Sequence, residues 1–444
     1  MQKVVDQTNL NLGTASSDAR HFSAQVDTGR AIVSLLLSGY TGEVAVQLWD
    51  GGLAAGDEDA ACRLVFHHPG ALRDLILRRN LVRLTEFYLA GKIDVIGDME
   101  GLFSLAPHLS ALKLSWRDKW QLFSLALRLP ASRMRLARKG LDHDNSHATI
   151  AHHYDVGNAF YQLWLDPEMV YSCAYFLHRD ESLAEAQQNK LDYICRKLRL
   201  APGQTLLDIG CGWGALAIWA ARYYGVRVHG ITLSEAQHHF ACQRVAEEGL
   251  SDQVRIELLD YRDLPQDAQY DRVVSVGMFE HIGIRNFPTY FSQVKRVLKP
   301  GGLFLNHGIS NEAGWRRTPL TRFINRYIFP DGELTSISHT SQAMEGAGFE
   351  LVDVEALRRH YALTLRHWVK ALVEKKQQAV SLTSEESWRL WKLYMAGCAW
   401  FFDAGEINVY QVLAGHAGQA IATPLTRDDL YRNAWSREAD HVRR

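Results

Sequence analysis

From Thr205 onward the chain alternates short apolar runs with longer segments of helical period. The runs Thr205–Ile209, Val226–Ile231, Val254–Asp260, Arg272–Val276 and Leu303–Asn306 have strand length and strand composition. Between them, Ser234–Gly249 and Tyr290–Leu298 repeat apolar residues at helical spacing, the second closed by Lys299-Pro300-Gly301-Gly302. Strands alternating with helices predict an α/β fold: a doubly wound, mostly parallel sheet with ligands at the carboxyl ends of its strands. Asp208, Thr232, Asp260, Glu280 and His307 all fall at or just beyond such ends, on one rim of one sheet. Residues 312 to 440 are rich in helix signals and tryptophan, and predict a helical cap on that sheet.

The region before the sheet reads differently. Ala31 to about Pro107 holds short strand and helix candidates, expected to form a small α+β domain that ends at the Ala106-Pro107 break. A helical, increasingly basic stretch follows (Arg128, Arg133, Arg135, Arg138, Lys139) and closes on the polar turn Asp142-His143-Asp144-Asn145-Ser146. This places the domain boundary between residues 145 and 146, with the small N-terminal domain and its basic linker before it and the α/β domain after it. The linker's arginines suit anionic headgroups, and equally a solvated helix face.

Composition narrows the class. The chain has 444 residues, net charge -1 and 47% hydrophobic residues, so a sizeable core is expected and no general attraction to nucleic acid. Six cysteines occur without a C-x-x-C pair, which speaks against zinc and a disulfide framework and for a reducing compartment. Met1–Gly13 is polar, without the apolar core of a signal peptide, and no run approaches the roughly 18 apolar residues of a membrane span. A cytoplasmic protein is expected, with peripheral attachment to a membrane surface left open by composition.

The densest chemical signal is Leu206-Leu207-Asp208-Ile209-Gly210-Cys211-Gly212-Trp213-Gly214, followed by the helix-forming run Ala215–Tyr224. Glycines at a strand-to-helix turn let a ligand lie on backbone, where free amide N–H groups point outward. The Asp208 carboxylate suits a cationic ligand end. The spacing D-x-G-x-G-x-G brings the third glycine one residue too early for the dinucleotide fingerprint, and resembles the first motif of S-adenosylmethionine-dependent methyltransferases.

Three further segments sharpen this: His153-Tyr154-Asp155-Val156-Gly157-Asn158, Tyr171-Ser172-Cys173-Ala174-Tyr175-Phe176 and Gly277-Met278-Phe279-Glu280-His281-Ile282-Gly283. With the glycine motif they resemble the cyclopropane-fatty-acyl-phospholipid synthases and mycolic acid cyclopropane synthases, over about residues 150 to 415. Thr85–Val95 is a looser match to the small N-terminal domain of the phospholipid enzymes. The resemblance implies a methyltransferase fold and S-adenosylmethionine as methyl donor. It also implies methyl transfer to the double bond of an unsaturated phospholipid, through a carbocation from which bound bicarbonate removes a proton. A homodimer working on phospholipid at a membrane surface is the implied assembly.

Carried over motif by motif, the resemblance assigns the bicarbonate group to Cys173, Glu280, His307, the backbone of Ile309 and Tyr361. Cys398 matches a cysteine placed in the family's active site, although alkene methylation needs no thiol nucleophile. Cofactor contacts are implied for Tyr171 and Ser172; for Leu206, Leu207, Asp208, Ile209, Gly210, Cys211, Gly212, Trp213 and Gly214; for Thr232, Leu233, Ser234 and Gln237; and for Asp260, Tyr261 and Arg262. Taken singly these have ordinary readings: Cys173 as a buried hydrophobe, Glu280 as a helix cap, His307 as a core histidine, Tyr361 as a helix start. An acyl tunnel would draw on Phe279, Trp315, Phe323, Tyr327, Phe329, Trp368, Trp400, Phe401 and Phe402. Two alternatives stay open: an enzyme whose product is a methyl- or methylene-branched chain, and a non-catalytic lipid carrier.

Overall fold

The protein is described by a computed structural model covering residues 8–78, 81–132, 157–312, 333–421 and 423–432. The polar turn at 142–146, the arginines beyond Arg128, His153–Val156 and the aromatic residues at 315, 323, 327 and 329 lie outside the described residues. The expected boundary at 145/146 lies there too. The chain divides into two compact units, one built from the described residues up to 132 with Arg389–Leu393, the other from the remainder.

The first unit holds the helix Thr8–Leu36 and a four-stranded sheet of β1 (Val44–Gln47), β2 (Leu53–Ala55), β3 (Cys62–Phe66) and β4 (Ile93–Gly97), in the order β2-β1-β3-β4. β1 and β3 run parallel and the other pairs antiparallel. Helices Pro69–Arg78 and Trp116–Arg128 pack against Thr8–Leu36. The expected break at Ala106-Pro107 is instead the first turn of the helix Leu105–Ala111, where a proline loses no helical hydrogen bond.

The second unit is built on a seven-stranded sheet: β5 (Thr205–Ile209), β6 (Arg227–Thr232), β7 (Val254–Leu258), β8 (Tyr270–Val276), β9 (Leu298–Asn311), β10 (Phe349–Ala356) and β11 (Ile407–His416). Its order is β10-β11-β9-β8-β5-β6-β7. β5 pairs in parallel with both β6 and β8, so the winding reverses direction beside the glycine motif. The central strands are buried on both faces, as parallel strands are. Leu206, Val274, Leu303 and Leu305 pack on one side with helix Ala215–Tyr224. Leu207, Ile209, Val273 and Phe304 pack on the other with Phe287, Tyr290, Phe291 and Val294 of helix Phe287–Val297.

The expected strands β5 to β8 are present with ends shifted by two residues or fewer. β9 differs. Leu298 pairs with Tyr270 and Leu303 with Arg272, so Lys299-Pro300-Gly301-Gly302, expected to lie between the helix and the strand, bulges within the strand, which begins directly after helix Phe287–Val297. At its other end β9 runs on to Asn311 because β11 lies antiparallel beside it, His307 opposite Gln411. The cap is therefore only partly helical. Arg358–Glu374, Lys376–Leu382 and Glu385–Ala404 are helices, whereas β10 and β11 are strands of the main sheet.

Candidate functional site

The glycine turn has the backbone its residues suggest. Gly210, Gly212 and Gly214 take φ of 80°, 57° and 86°, a region closed to most side chains. A Cβ on Gly210 would stand 2.9 Å from that of Met278, whereas one on Gly212 would meet nothing within 4 Å. The turn thus presents open space at Gly212. The amides are less free than the sequence suggests. Those of Gly210 and Cys211 both donate to the Ile231 carbonyl, and that of Gly214 to Cys211. These bonds fasten the turn to the end of β6.

Beneath the turn Asp208 is buried, and burial pushes its carboxyl up to about 7, with Lys190 opposing that rise. Lys190 is itself buried on helix Leu183–Lys197, and its Nζ donates a hydrogen bond to Ser172 Oγ at 3.0 Å. Burial draws the Lys190 ammonium down to about 8 against the pull of Asp166, Cys173 and Asp208. One turn earlier Gln187 donates to the Ser172 carbonyl at 2.9 Å, and Asp166 accepts the amides of Glu168 and Val170. Lys190 and Gln187 were missed from sequence. Their signal was there: two polar residues three apart on a face otherwise made of Leu191 and Ile194.

Around this core the other cofactor candidates take their places. Tyr171 packs among Tyr161, Trp164 and Trp368 at ring distances of 5.5, 5.5 and 5.2 Å. Trp213 donates to Asn158 Oδ1 at 2.9 Å and packs on Tyr161. After β6, Thr232 Oγ1 donates to Gln237 Oε1 at 2.9 Å and Ser234 caps the next helix, while Leu233 is exposed. Asp260, after β7, is gripped by Arg262: Oδ1 accepts the backbone N–H at 2.8 Å and Nε at 2.9 Å, and Oδ2 accepts Nη2 at 2.7 Å. Tyr261 stands edge-on to Tyr290.

Beside the turn lies a second polar cluster. Glu280 sits in a 3-10 turn after β8 and is buried; its carboxylate accepts backbone N–H bonds from itself and Ile309, yet burial prevails and lifts it to about 7. Among the described residues Oε2 of Glu280 has no hydrogen-bond partner. The Ile309 amide is thus turned on Glu280, so the reading of Ile309 as a direct ligand needs that bond to be shared. Gly308 makes room here, since a Cβ on it would lie 2.9 Å from Phe279 Cδ1 and 3.3 Å from Glu280 Oε2.

His307 is buried, and burial with the nearby Lys190 and Lys197 cations holds it neutral, far below its ordinary range. Gln411 Nε2 lies 3.2 Å from His307 Nδ1, and Nε2 of His307 has no partner among the described residues. An amide N–H donated to Nδ1 leaves the ring proton on Nε2. Gln411 was invisible to sequence reasoning, because only the β9–β11 register brings it to His307.

Tyr361 closes the cluster, interacting electrostatically with Tyr171, Cys173, Glu280 and Cys398. Its ring packs on Phe402 at 4.6 Å. Cys173 is buried and its thiol, pushed far up, donates to the Ala174 carbonyl at 3.3 Å. Cys398 is hydrogen-bonded to Tyr394 and burial pushes it up to about 12. Both thiols are therefore protonated at neutral pH, which gives neither the makings of a nucleophile. Among the described residues no group of three or more His, Cys, Asp or Glu side chains is placed to hold a metal ion.

The chain is similar to known proteins. The profile of the family described as mycolic acid cyclopropane synthetase matches residues 142–412. A probable fatty acid methyltransferase of Pseudomonas putida is 42% identical over 393 residues, covering 87% of this chain and 96% of the relative. The cyclopropane-fatty-acyl-phospholipid synthase of Escherichia coli K12 is 44% identical over 263 residues, 59% of this chain and 66% of its own. Among solved structures, mycolic acid cyclopropane synthase CmaA1 complexed with SAH and CTAB superposes with a TM-score of 0.58 at 38% identity, covering 62% of this chain and 99% of the other.

Proposed function

The chain belongs to the mycolic acid cyclopropane synthetase family and is an S-adenosylmethionine-dependent methyltransferase of lipids; we propose that it converts the cis double bond of an unsaturated phospholipid acyl chain into a cyclopropane ring, with bicarbonate bound as base. One observation carries this reading. Two buried polar atoms have no hydrogen-bond partner among the described residues: Glu280 Oε2, in the cluster with Tyr361 and Cys173, and His307 Nε2, on β9 where it pairs with the last residue of β8, Val276. A buried donor and a buried acceptor left unmatched are costly, and a small anion that can both accept and donate satisfies them together.

When bound, S-adenosylmethionine supplies an electrophilic sulfonium methyl, and bicarbonate supplies a base that a cation does not readily alkylate. The chain's residues do the rest. Asp208 is the carboxylate for the donor's ammonium end, and the open backbone at Gly212 lets the ligand approach. Lys190 fixes Ser172 and, through its charge, keeps Asp208 from standing in the core as an uncompensated anion. His307 presents an Nε2–H, Tyr361 a hydroxyl, and Glu280 a carboxyl whose raised proton affinity lets it receive a proton near neutrality. Tyr171, Trp164 and Trp368 exclude water and offer ring faces to a positive charge.

A second reading has its own support: the Pseudomonas putida relative, which spans both units, is named a fatty acid methyltransferase. Its product would keep the methyl as a branch. Incubation of the protein with unsaturated phospholipid and methyl-trideuterated S-adenosylmethionine separates the two by mass. Ring closure removes one deuteron, so the ring carries two labels, whereas a methyl branch, formed when the cation instead loses a proton from a chain carbon, carries all three. A methylene branch also carries two labels and is told from the ring by its double bond, which takes up hydrogen on mild catalytic hydrogenation. Three retained labels would replace the first reading by the second, and unaltered lipid would remove both.

A further inference from the structure

In the first unit, helix Trp116–Arg128 turns a row of large apolar side chains to solvent: Trp116 is 73% exposed, Trp120 56%, Phe123 46% and Leu127 51%. We propose that this row is an in-plane docking element for an anionic phospholipid bilayer. At 100° per residue the four positions fall within about 60° of one another, a single narrow stripe. The opposite face is already used, with Leu122, Leu125 and Ala126 buried against the rest of the unit. The helix is well started without any partner. Ser115 Oγ accepts the Asp118 N–H, and Asp118 Oδ2 accepts the Ser115 N–H at 2.8 Å. The stripe is ordered within itself, since Trp116 and Trp120 rings lie 6.0 Å apart and Trp120 meets Phe123 edge-on at 5.9 Å.

Charge decides the occupant. Between Lys113 and Arg128 the chain carries four cations (Lys113, Arg117, Lys119, Arg128) against one carboxylate, Asp118, which is bound to the helix cap, in a chain whose net charge is -1. On the helical wheel Arg117 and Arg128 lie on one side of the apolar row and Lys119 on the other. Protein interfaces are depleted in lysine, here Lys113 and Lys119, and a protein partner would need carboxylates to match the excess of cations. A headgroup layer takes them: tryptophan and phenylalanine sink to the acyl boundary while flanking cations meet phosphate, each worth about 1 kcal/mol at an anionic surface. No helix among the described residues is long and apolar enough to cross a membrane, so binding through this element is superficial. The inference rests on the lipid reading above only for its choice of partner.

The test is flotation with phosphatidylglycerol-containing and pure phosphatidylcholine vesicles, using the full chain and the variant Trp116→Ser/Trp120→Ser/Phe123→Ser. These positions are solvent-exposed, so circular dichroism should remain native. The wild type should float with the anionic vesicles, less so at high salt, and the variant should bind about tenfold or more weakly. A second variant, Arg117→Glu/Lys119→Glu, should lose the preference for anionic lipid. Methylation of phospholipid in detergent micelles should be unchanged in both. Equal flotation of variant and wild type overturns the proposal, as does a wild type that ignores vesicles. A variant that changes oligomeric state while floating normally overturns it too, in favour of a second copy. Vesicle binding that depends on the stripe, in a protein that methylates no lipid in any form, upholds the docking element and refutes the functional reading instead.

Discussion

Replacing Glu280 by glutamine should stabilise the protein while disabling it. Burial lifts the Glu280 carboxyl from its ordinary 4.5 to about 7. The fold therefore prefers the protonated form, and the folded state holds a proton that the unfolded chain has released between those values. Stability is fully present below pH 4.5, falls as the pH rises through 7, and is level beyond. That displacement corresponds to about 3 kcal/mol at pH 8, following the linkage for a buried group. Glutamine occupies the same space, keeps an acceptor for the Ile309 amide and carries no charge. At pH 8 the variant should melt on the order of 5 °C higher, and at pH 5 the difference should shrink towards nothing. Activity should fall about 10²-fold or more, in keeping with the loss of an acid–base group, with affinity for S-adenosylmethionine little changed. The assay is thermal unfolding across pH in carbonate-free buffer, paired with initial rates. A variant no more stable at pH 8 than at pH 5, or one that turns over normally, would show that Glu280 is a solvated helix cap.

Two further predictions concern the turn and the buried cation. Gly212→Ala meets no atom in the fold, so it should cost only about 1–2 kcal/mol of stability from its positive φ yet weaken S-adenosylmethionine binding by calorimetry; undiminished affinity would remove Gly212 from the ligand's path. Gly210→Ala collides with Met278 and should lose stability as well as binding. Lys190→Met should destabilise by about 3–5 kcal/mol in urea, because Asp166 and Asp208 would lose the cation that opposes their burial. Its deficit should grow as the pH rises through 7 and Asp208 ionises; an unchanged midpoint would mean those carboxyls stay neutral without it.

The centre of the parallel half was legible because β5 and the second half of β8 are buried and read as short apolar runs, and β7 because its apolar and charged residues alternate. Leu206 and Leu207 point to opposite cores and neither needs a polar neighbour. The antiparallel half was not. Phe349–Ala356 mixes Glu350, Asp353 and Glu355 with its apolar residues, and Ile407–His416 directly follows a long helix, so local pattern favoured more helix. Its loss also hid why His307 lies within a strand, since the pairing that carries β9 from Asn306 to Asn311 comes from a segment about a hundred residues away. The candidate site followed the same division. Residues in one motif, such as Asp208 to Gly214, could be named from spacing. Gln411 and the hold of Arg262 on Asp260 depend on geometry that no spacing reveals.

The claim that an anion held by Cys173, Glu280, His307 and Tyr361 serves as base is tested most directly by bicarbonate dependence. Tyr361→Phe deletes one hydroxyl and keeps the ring that packs on Phe402 and Trp368. Initial rates on unsaturated phospholipid are measured at fixed pH and ionic strength, in carbonate-depleted buffer with and without added bicarbonate. The wild type should be slow without bicarbonate and saturate at low concentration. The variant should need more bicarbonate and regain part of its rate in excess, since mass action refills a weakened site but cannot replace a missing side-chain base. A wild type fully active in depleted buffer, together with a variant indifferent to bicarbonate, would contradict the account.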